Sequence, residues 1–370
     1  MTEISLFPEL GSSISTVDTP AVLVDLDKVE NNIARLLGMF QDSSVSVRPH
    51  LKTVKSPKFA RMLVNAGARG VCVAKLSEAE VMAISGFTDV LITTEIIGDA
   101  KVARLERLLQ TNIDLKVVVD SEYGAQQMNA AAKASEHNLK VLIEINVGQN
   151  RAGVEPGAGV LRVAEAVSKC SNLTLVGVQG YEGHLQQLPD HADRSKQCLA
   201  AMNVLKENVE LLRGAGYKIE VVTTGGTGTG EFCALNSVVT EVQPGSFVFM
   251  DASYSKALGA GYEHALTILT TVISRPTDRR AVVDAGLKSL SNDCGNAILV
   301  EPEHHTYRNA GDEHGIIEST NGPVAVEIGD HLQLIPSHID TTINLHDFYV
   351  CHRKGVVEKI WPIAGRGKVQ

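Results

Sequence analysis

The chain has 370 residues, 44% of them hydrophobic, and its 43 acidic against 34 basic side chains give a formal net charge of −9. Such a length exceeds one small domain, and the acidic balance, with no dense Lys/Arg patch, excludes a general nucleic-acid-binding surface. No apolar run reaches the length of a membrane span, and MTEISLFPEL lacks the basic start and apolar stretch of a secretion signal. The six cysteines, at 72, 170, 198, 233, 294 and 351, form no CxxC pair, so neither a disulfide framework nor a cysteine zinc site is expected. A cytoplasmic, reduced protein fits this composition.

The first unit along the chain, AVLVDLDKVENNIARLL, reads as a strand followed by a helix. β-Branched runs then recur at residues 45–47, 71–74, 90–93, 115–119, 141–147, 173–178, 219–223 and 238–248, with helical spacing between most of them, as at 58–64, 102–109 and 200–212. Eight strands alternating with helices predict an α/β fold built on a TIM-like (β/α)8 barrel. After residue 264 the pattern changes. TILTTVIS, RAVVDAG, PVAVEIGDHLQLIP and FYVCHRKGVVEKIWPI read as strands and turns with little helix, a second, mostly antiparallel β domain at the C-terminus. The expected boundaries are 21–264 for the barrel and 265–370, joined by residues 1–20, for the β domain. With no low-complexity linker between them, the two are expected to pack as one unit.

The first barrel strand ends in RPHLKT. Pro49 keeps Arg48 extended and argues against a helix here, so His50 and Lys52 are presented at the C-terminal mouth of the barrel, where such folds place their chemistry. Arg151 follows the fifth strand, and Tyr181 and His184 the sixth. TTGGTGTG, residues 223–230, follows the seventh, and QPGSFVFMDASY the eighth. Glycines and hydroxyls this close together let backbone N–H groups converge on an anion. The run also fits a flexible loop of small residues, but its place after the seventh strand favours phosphate. Most lysines are solvated surface charges, whereas one at the inner mouth of a barrel is partly desolvated, which frees its amine as a nucleophile. Such a lysine beside a phosphate pocket points to a phosphate-bearing aldehyde held as a Schiff base, with pyridoxal 5'-phosphate the obvious candidate.

In these residues the chain resembles the alanine racemase-like (fold type III) pyridoxal-phosphate enzymes, and within them the D-threonine aldolase and D-serine dehydratase-like family. The resemblance runs nearly end to end through TPAVLVDLDKVENNI, RPHLKTVK, the Arg151 segment, YEGHLQ, TTGGTGTG, EVQPGSFVFMD, VVDAGLKSLSND, DEHG and PSHIDTTINLHD, which occur in order. It implies that Lys52 carries the cofactor as a Schiff base, that Arg151 faces the pyridine nitrogen and that Tyr181 lies beside the ring. It further implies that Thr224, Gly225, Gly226, Thr227 and Tyr254 hold the phosphate. A guanidinium keeps its proton near neutral pH, so Arg151 would donate to an unprotonated ring nitrogen and leave the ring a weaker electron sink. Without the family pattern Arg151 fits a surface ion-pair residue better.

His338 and Asp340 of PSHIDTT lie two apart, on the same side of an extended strand, and offer a nitrogen and an oxygen suited to Mn²⁺, Mg²⁺ or Zn²⁺. By itself His-x-Asp fits a polar strand face. The resemblance implies a metal pair, and the aspartate, where the dehydratase branch typically has cysteine, favours the aldolase branch.

The expected activity, in D-amino acid metabolism, is pyridoxal-phosphate- and metal-dependent cleavage of a D-threonine-like D-3-hydroxy amino acid to glycine and an aldehyde. The base on the hydroxyl is a metal-bound hydroxide or a nearby histidine such as His184, and His50, Gln186, Asp293 and His314 are candidates near the substrate. The alternative uses the same parts to dehydrate D-serine or D-threo-3-hydroxyaspartate to a 2-oxo acid and ammonia, with Lys52 as the base on the α-carbon. A non-catalytic pyridoxal-phosphate carrier is disfavoured, because such proteins resemble the barrel alone. A homodimer is expected, the partner's β domain closing each site from water. The substrate is a small molecule, with no nucleic-acid or membrane partner.

Overall fold

A computed structural model describes residues 7–259 and 261–370; the opening MTEISL of the segment inspected for a secretion signal lies outside the described residues. The strands of the first two-thirds are β1 (Ala21–Asp25), β2 (Ser46–Val47), β3 (Val71–Val73), β4 (Asp89–Ile92), β5 (Asp114–Val119), β6 (Leu139–Ile145), β7 (Leu173–Gly180), β8 (Val221–Thr224) and β9 (Glu241–Val242). The helices among them are α1 (Leu26–Met39), α2 (Pro57–Asn65), α3 (Leu76–Ile84), α4 (Asp99–Leu109), α5 (Glu122–Ala134), α6 (Ala158–Ser168), α7 (His191–Gly214) and α8 (Gly230–Cys233).

The chain divides into two compact units. One comprises Leu36–Lys52, Pro57–Gly245 and Lys368–Gln370; the other comprises Met1–Arg35, Thr53–Ser56 and Ser246–Gly367. In the first, eight parallel strands run in the order β2-β9-β8-β7-β6-β5-β4-β3, the barrel-type sheet expected from the alternation. Its two ends meet just past β2, where the Cys72 N–H donates to Pro49 O at 3.0 Å and the Leu51 N–H to Cys72 O at 2.8 Å. The run 238–248 yields only the two residues of β9, because Pro244 has no N–H for a ladder and a 3-10 turn follows at Ser246–Val248.

Side chains from six neighbouring strands, Cys72, Leu91, Val118, Leu142, Val176 and Val221, form one buried cluster. Among the buried polar groups is Arg48, whose Nε and Nη2 donate to the two oxygens of Glu241 at 2.8 and 2.9 Å and whose Nη1 donates to Asp89 at 2.8 Å. RPHLKT therefore opens with a structural cation before it presents Lys52.

The second unit holds β10 (Leu266–Thr277), β11 (Arg280–Val283), β12 (Ile298–Leu299), β13 (His305–Asn309), β14 (Gly315–Ser319), β15 (His331–Ile335), β16 (Phe348–Arg353) and β17 (Val356–Pro362), with helices α9 (Ala252–Leu258) and α10 (Ile339–Ile343). Its nine-stranded sheet runs β13-β14-β11-β10-β1-β16-β17, with β15 pairing β10 and β12. Pairing is antiparallel except between β1 and β16.

Three expectations need correction. β1, read as part of the barrel stretch beginning at residue 21, pairs instead with β10 and β16, because its central Val22, Leu23 and Val24 are buried and the barrel-type sheet, closed on itself, offers no edge. Residues 323–330 of PVAVEIGDHLQLIP form no strand, and only HLQLI does. The HID stretch is not extended throughout: His338 is the extended N-cap of α10 and Asp340 lies in its first turn. No helix among the described residues is long and apolar enough to cross a membrane, and all six cysteines are free thiols.

Candidate active site

His50 and Lys52 follow β2 directly. The Lys52 N–H donates to His50 Nδ1 at 3.3 Å, and His50 Nε2 lies 3.0 Å from Thr93 Oγ1. Thr93 spends its own proton on Val73 O, so the His50 ring carries its proton on Nε2 and accepts on Nδ1. His50 thereby fixes the backbone at Lys52, whose side chain is half-buried.

The segment after β6 is held by Asn146, whose Oδ1 accepts from the N–H groups of Gly148 and Asn150, both at 3.1 Å. Gly148 has φ +117°, a conformation that L side chains rarely adopt, so glycine lets the turn form beside the His184 ring. The Arg151 guanidinium lies 5.5 Å from the centroid of the Tyr181 ring, close enough for a cation–π contact.

Beneath these residues runs a buried polar layer. Gln243 donates to Gln179 and Thr223, and Gln179 donates to Thr93 O and, at 3.1 Å, to Glu144 Oε2. Burial, and then the charge of neighbouring Glu95, pushes the Glu144 carboxyl up to about 8. Glu144 thus takes up a proton on folding between its ordinary 4.5 and about 8. The stability it contributes is complete below that window and is lost as pH rises through it. Glu144→Gln keeps the neutral form, accepting from Gln179 as the acid does. It should raise the melting temperature by about 2–4 °C at about pH 8.5 and by much less at about pH 5.5. Equal shifts at both pH values, read by scanning calorimetry, would sink this assignment.

TTGGTGTG is folded around an anion that belongs to the chain itself. Fully buried Glu182, in the turn after β7, accepts at Oε2 from Thr224 Oγ1 (2.9 Å) and the Gly225 N–H (3.4 Å). At Oε1 it accepts from Thr229 Oγ1 and from Gln186 Nε2 (3.1 Å). The Gly226 N–H donates to Thr229 Oγ1 at 3.1 Å and the Gly228 N–H to Gln186 Oε1 at 3.0 Å. A Cβ on Gly228 would come within 2.0 Å of Gln186 O, so only glycine fits that approach. Within 223–230, Thr227 is the residue that is not fully buried. Gln186, expected beside the substrate, is buried and has its amide committed to this network.

In the second unit, His338 Nδ1 bonds Asp293 Oδ2 at 2.7 Å, and Asp293 Oδ1 accepts from Ser291 and Thr341. His338 Nε2 lies 3.9 Å from Asp340 Oδ2, so an imidazole nitrogen and a carboxylate stand near one another. Asp293, expected near the substrate, orients the imidazole. Asp340 also accepts from Thr53 Oγ1, the residue after Lys52, at 3.3–3.4 Å. Buried Asp251 accepts from the Tyr254 N–H at 2.8 Å and the Ile339 N–H at 3.1 Å, so one carboxylate starts both α9 and α10. His314 is exposed just before β14 and joins none of these contacts.

The donor sets suit the groups expected of them. A primary amine at a strand end and a permanent cation packed on an aromatic ring fit pyridoxal phosphate, whereas the Thr224 hydroxyl and the Gly225 and Gly226 N–H groups, expected at the phosphate, are committed to Glu182 and Thr229. An imidazole held at Nδ1 by a carboxylate, with a second carboxylate facing Nε2, fits a divalent cation. Sequence reasoning missed Glu182 and Asp251. Asp251 could have been found from its N-cap position before ASY, whereas nothing local marks Glu182 as the centre of a network.

The sequence profile of the alanine racemase N-terminal domain matches residues 24–253, and that of a serine dehydratase domain matches 265–352. The chain is 37% identical to D-threonine aldolase of Arthrobacter sp., covering 96% of this chain and 95% of that one. It is 37% identical to 3-hydroxy-D-aspartate aldolase of Paracoccus denitrificans (strain Pd 1222), covering 97% and 94%. The crystal structure of D-threonine aldolase from Filomicrobium marinum superposes with a TM-score of 0.95 at 36% identity, covering 98% of this chain and all of that one.

Proposed function

Because the chain belongs to the alanine racemase-type family whose members carry a serine dehydratase-like C-terminal domain, we propose that it is a pyridoxal-phosphate- and divalent-cation-dependent lyase acting on D-3-hydroxy amino acids. It breaks the bond between the α- and β-carbons. D-Threonine would give glycine and acetaldehyde, and 3-hydroxy-D-aspartate would give glycine and glyoxylate. The observation that carries this reading is the pairing of His338 Nε2 with Asp340 Oδ2, 3.9 Å apart, on a carboxylate tied to the residue next to Lys52.

Bound pyridoxal phosphate supplies an electron sink for charge on the α-carbon. Lys52 is its attachment point, with its backbone fixed by His50. Arg151 would donate to the ring nitrogen without giving up its proton, with Tyr181 beside the ring. Thr227 and Tyr254 would hold the phosphate, with Thr224, Gly225 and Gly226 shaping the turn. His338 and Asp340 would hold Mn²⁺ or Mg²⁺, with Zn²⁺ as the alternative ion, a Lewis acid that would lower the pKa of the substrate β-hydroxyl. The His184 imidazole accepts the hydroxyl proton as the aldehyde leaves, and the α-carbon regains a proton to give glycine. The protein acts as a homodimer, which sedimentation can check; a fully active monomer would refute that.

The decisive assay incubates the protein with D-threonine and D-serine, with and without Mn²⁺, and measures glycine, aldehyde, 2-oxo acid and ammonia. Glycine and acetaldehyde in equal amounts are expected, with borohydride fixing the pyridoxyl group on Lys52. A 2-oxo acid with ammonia would make the protein a dehydratase, and a label on Lys55 or Lys75 would overturn the lysine assignment.

A further inference from the structure

We infer that Glu182 is a positioning residue for the cofactor phosphate: its carboxylate is an internal counter-anion that shapes the 223–230 turn before any ligand arrives. This rests on the pyridoxal-phosphate reading above. Four donors converge on Glu182, two on each oxygen, and they come from Thr224, Gly225, Gln186 and Thr229. Every one of these groups donates, so the network is satisfied by a carboxylate and by no neutral side chain of the same shape.

The neighbours leave no slack. Thr229 Oγ1 already accepts from the Gly226 N–H and from Gln186 Nε2 while donating to Glu182, which uses all the capacity of one hydroxyl. An amide at position 182 would meet donors whichever way it turned. With its nitrogen at Oε1 it faces Gln186 Nε2 and the saturated Thr229; with its nitrogen at Oε2 it faces the Gly225 N–H. Glu182 thus commits the inner N–H and hydroxyl groups of the turn to the protein itself and fixes the shape of the 223–230 turn. Holding the turn in that shape beforehand removes an ordering cost from phosphate binding.

The test compares Glu182→Gln with the parent for binding of pyridoxal phosphate and of pyridoxal, which lacks the phosphate, by titration of the absorbance spectrum. The parent should prefer the phosphorylated form strongly. The variant should bind pyridoxal phosphate at least about tenfold more weakly, the equivalent of about 1.4 kcal/mol, with pyridoxal affinity little changed. If Glu182→Gln does not fold, Thr229→Val removes the same hydroxyl from the network with little change of shape. It should show the same selective loss, and Thr229→Ser should restore binding. Equal loss for both ligands would reduce Glu182 to general stability and overturn the inference, as would no loss for either. A parent that does not distinguish the two ligands would fail earlier, by removing the phosphate reading itself.

Discussion

Stripping the cation with a chelator, or replacing Asp340 by alanine, should abolish D-threonine cleavage while D-alanine α-proton exchange persists. His338 and Asp340 are the protein ligands proposed for the cation, and losing one of two should release most of it at ordinary metal concentrations. Polarising a hydroxyl is worth several kcal/mol of barrier, so cleavage should fall by at least about a thousandfold. D-Alanine has no β-hydroxyl, and exchange at its α-carbon needs only the cofactor and a base. The cofactor's visible absorption should likewise stay, because Lys52, Arg151 and the 223–230 turn are untouched. Equal loss of both activities, or loss of neither, would show that this pair does not hold the catalytic ion. An Asp340→Cys variant run in parallel should shift metal preference toward zinc, since a thiolate is the softer ligand.

Arg48→Met should cost about 3–5 kcal/mol of stability, the penalty for breaking a buried ion network on one side only. The substitution keeps the bulk of the side chain but removes the guanidinium that spans Glu241 and Asp89. Asp89 retains Lys116 at 2.9 Å. Glu241, itself fully buried, is left with the more distant and exposed Arg69. Its uncompensated charge is what destabilises the fold. Melting measured by calorimetry should drop by about 10 °C. A double change of Arg48→Met with Glu241→Leu should recover part of that loss, because no orphaned charge remains. A drop of less than about 2 °C in the single variant would mean that Glu241 finds water or another partner.

The barrel was legible because most of its eight strands lie in short apolar runs between helices, and that rhythm survives in the letters alone. The second unit was less so. β13, HTYRN, and β14, GIIES, are short strands with polar or exposed faces, and their pairing with each other gives them a definition that no local run does. α10 was read as extended because five residues carry no helical period, while the contact that starts it comes from Asp251, 88 positions earlier. In the site, each chemically conspicuous residue was visible: the lysine, the arginine, the histidine–aspartate pair. The residues that orient them were not. Glu182 finds its donors 42 and 47 positions away at Thr224 and Thr229, a relation that only the folded chain expresses. Asp293 and Gln186 were noticed as polar groups near the chemistry, but their commitments to His338 and to the 223–230 turn depend on tertiary placement.

The position of β1 bears on how the protein is made. It lies between β10 and β16, hydrogen-bonded to both, yet it is translated before either of them, and those partners emerge hundreds of residues later. The barrel strands are all translated before β10, so they can pair while β1 still waits as an unsatisfied apolar segment. A nascent chain halted before residue 348 would carry β1 with one edge bare, a template for pairing with another unfinished copy. Synthesis of β16 is therefore also the step that retires this hazard.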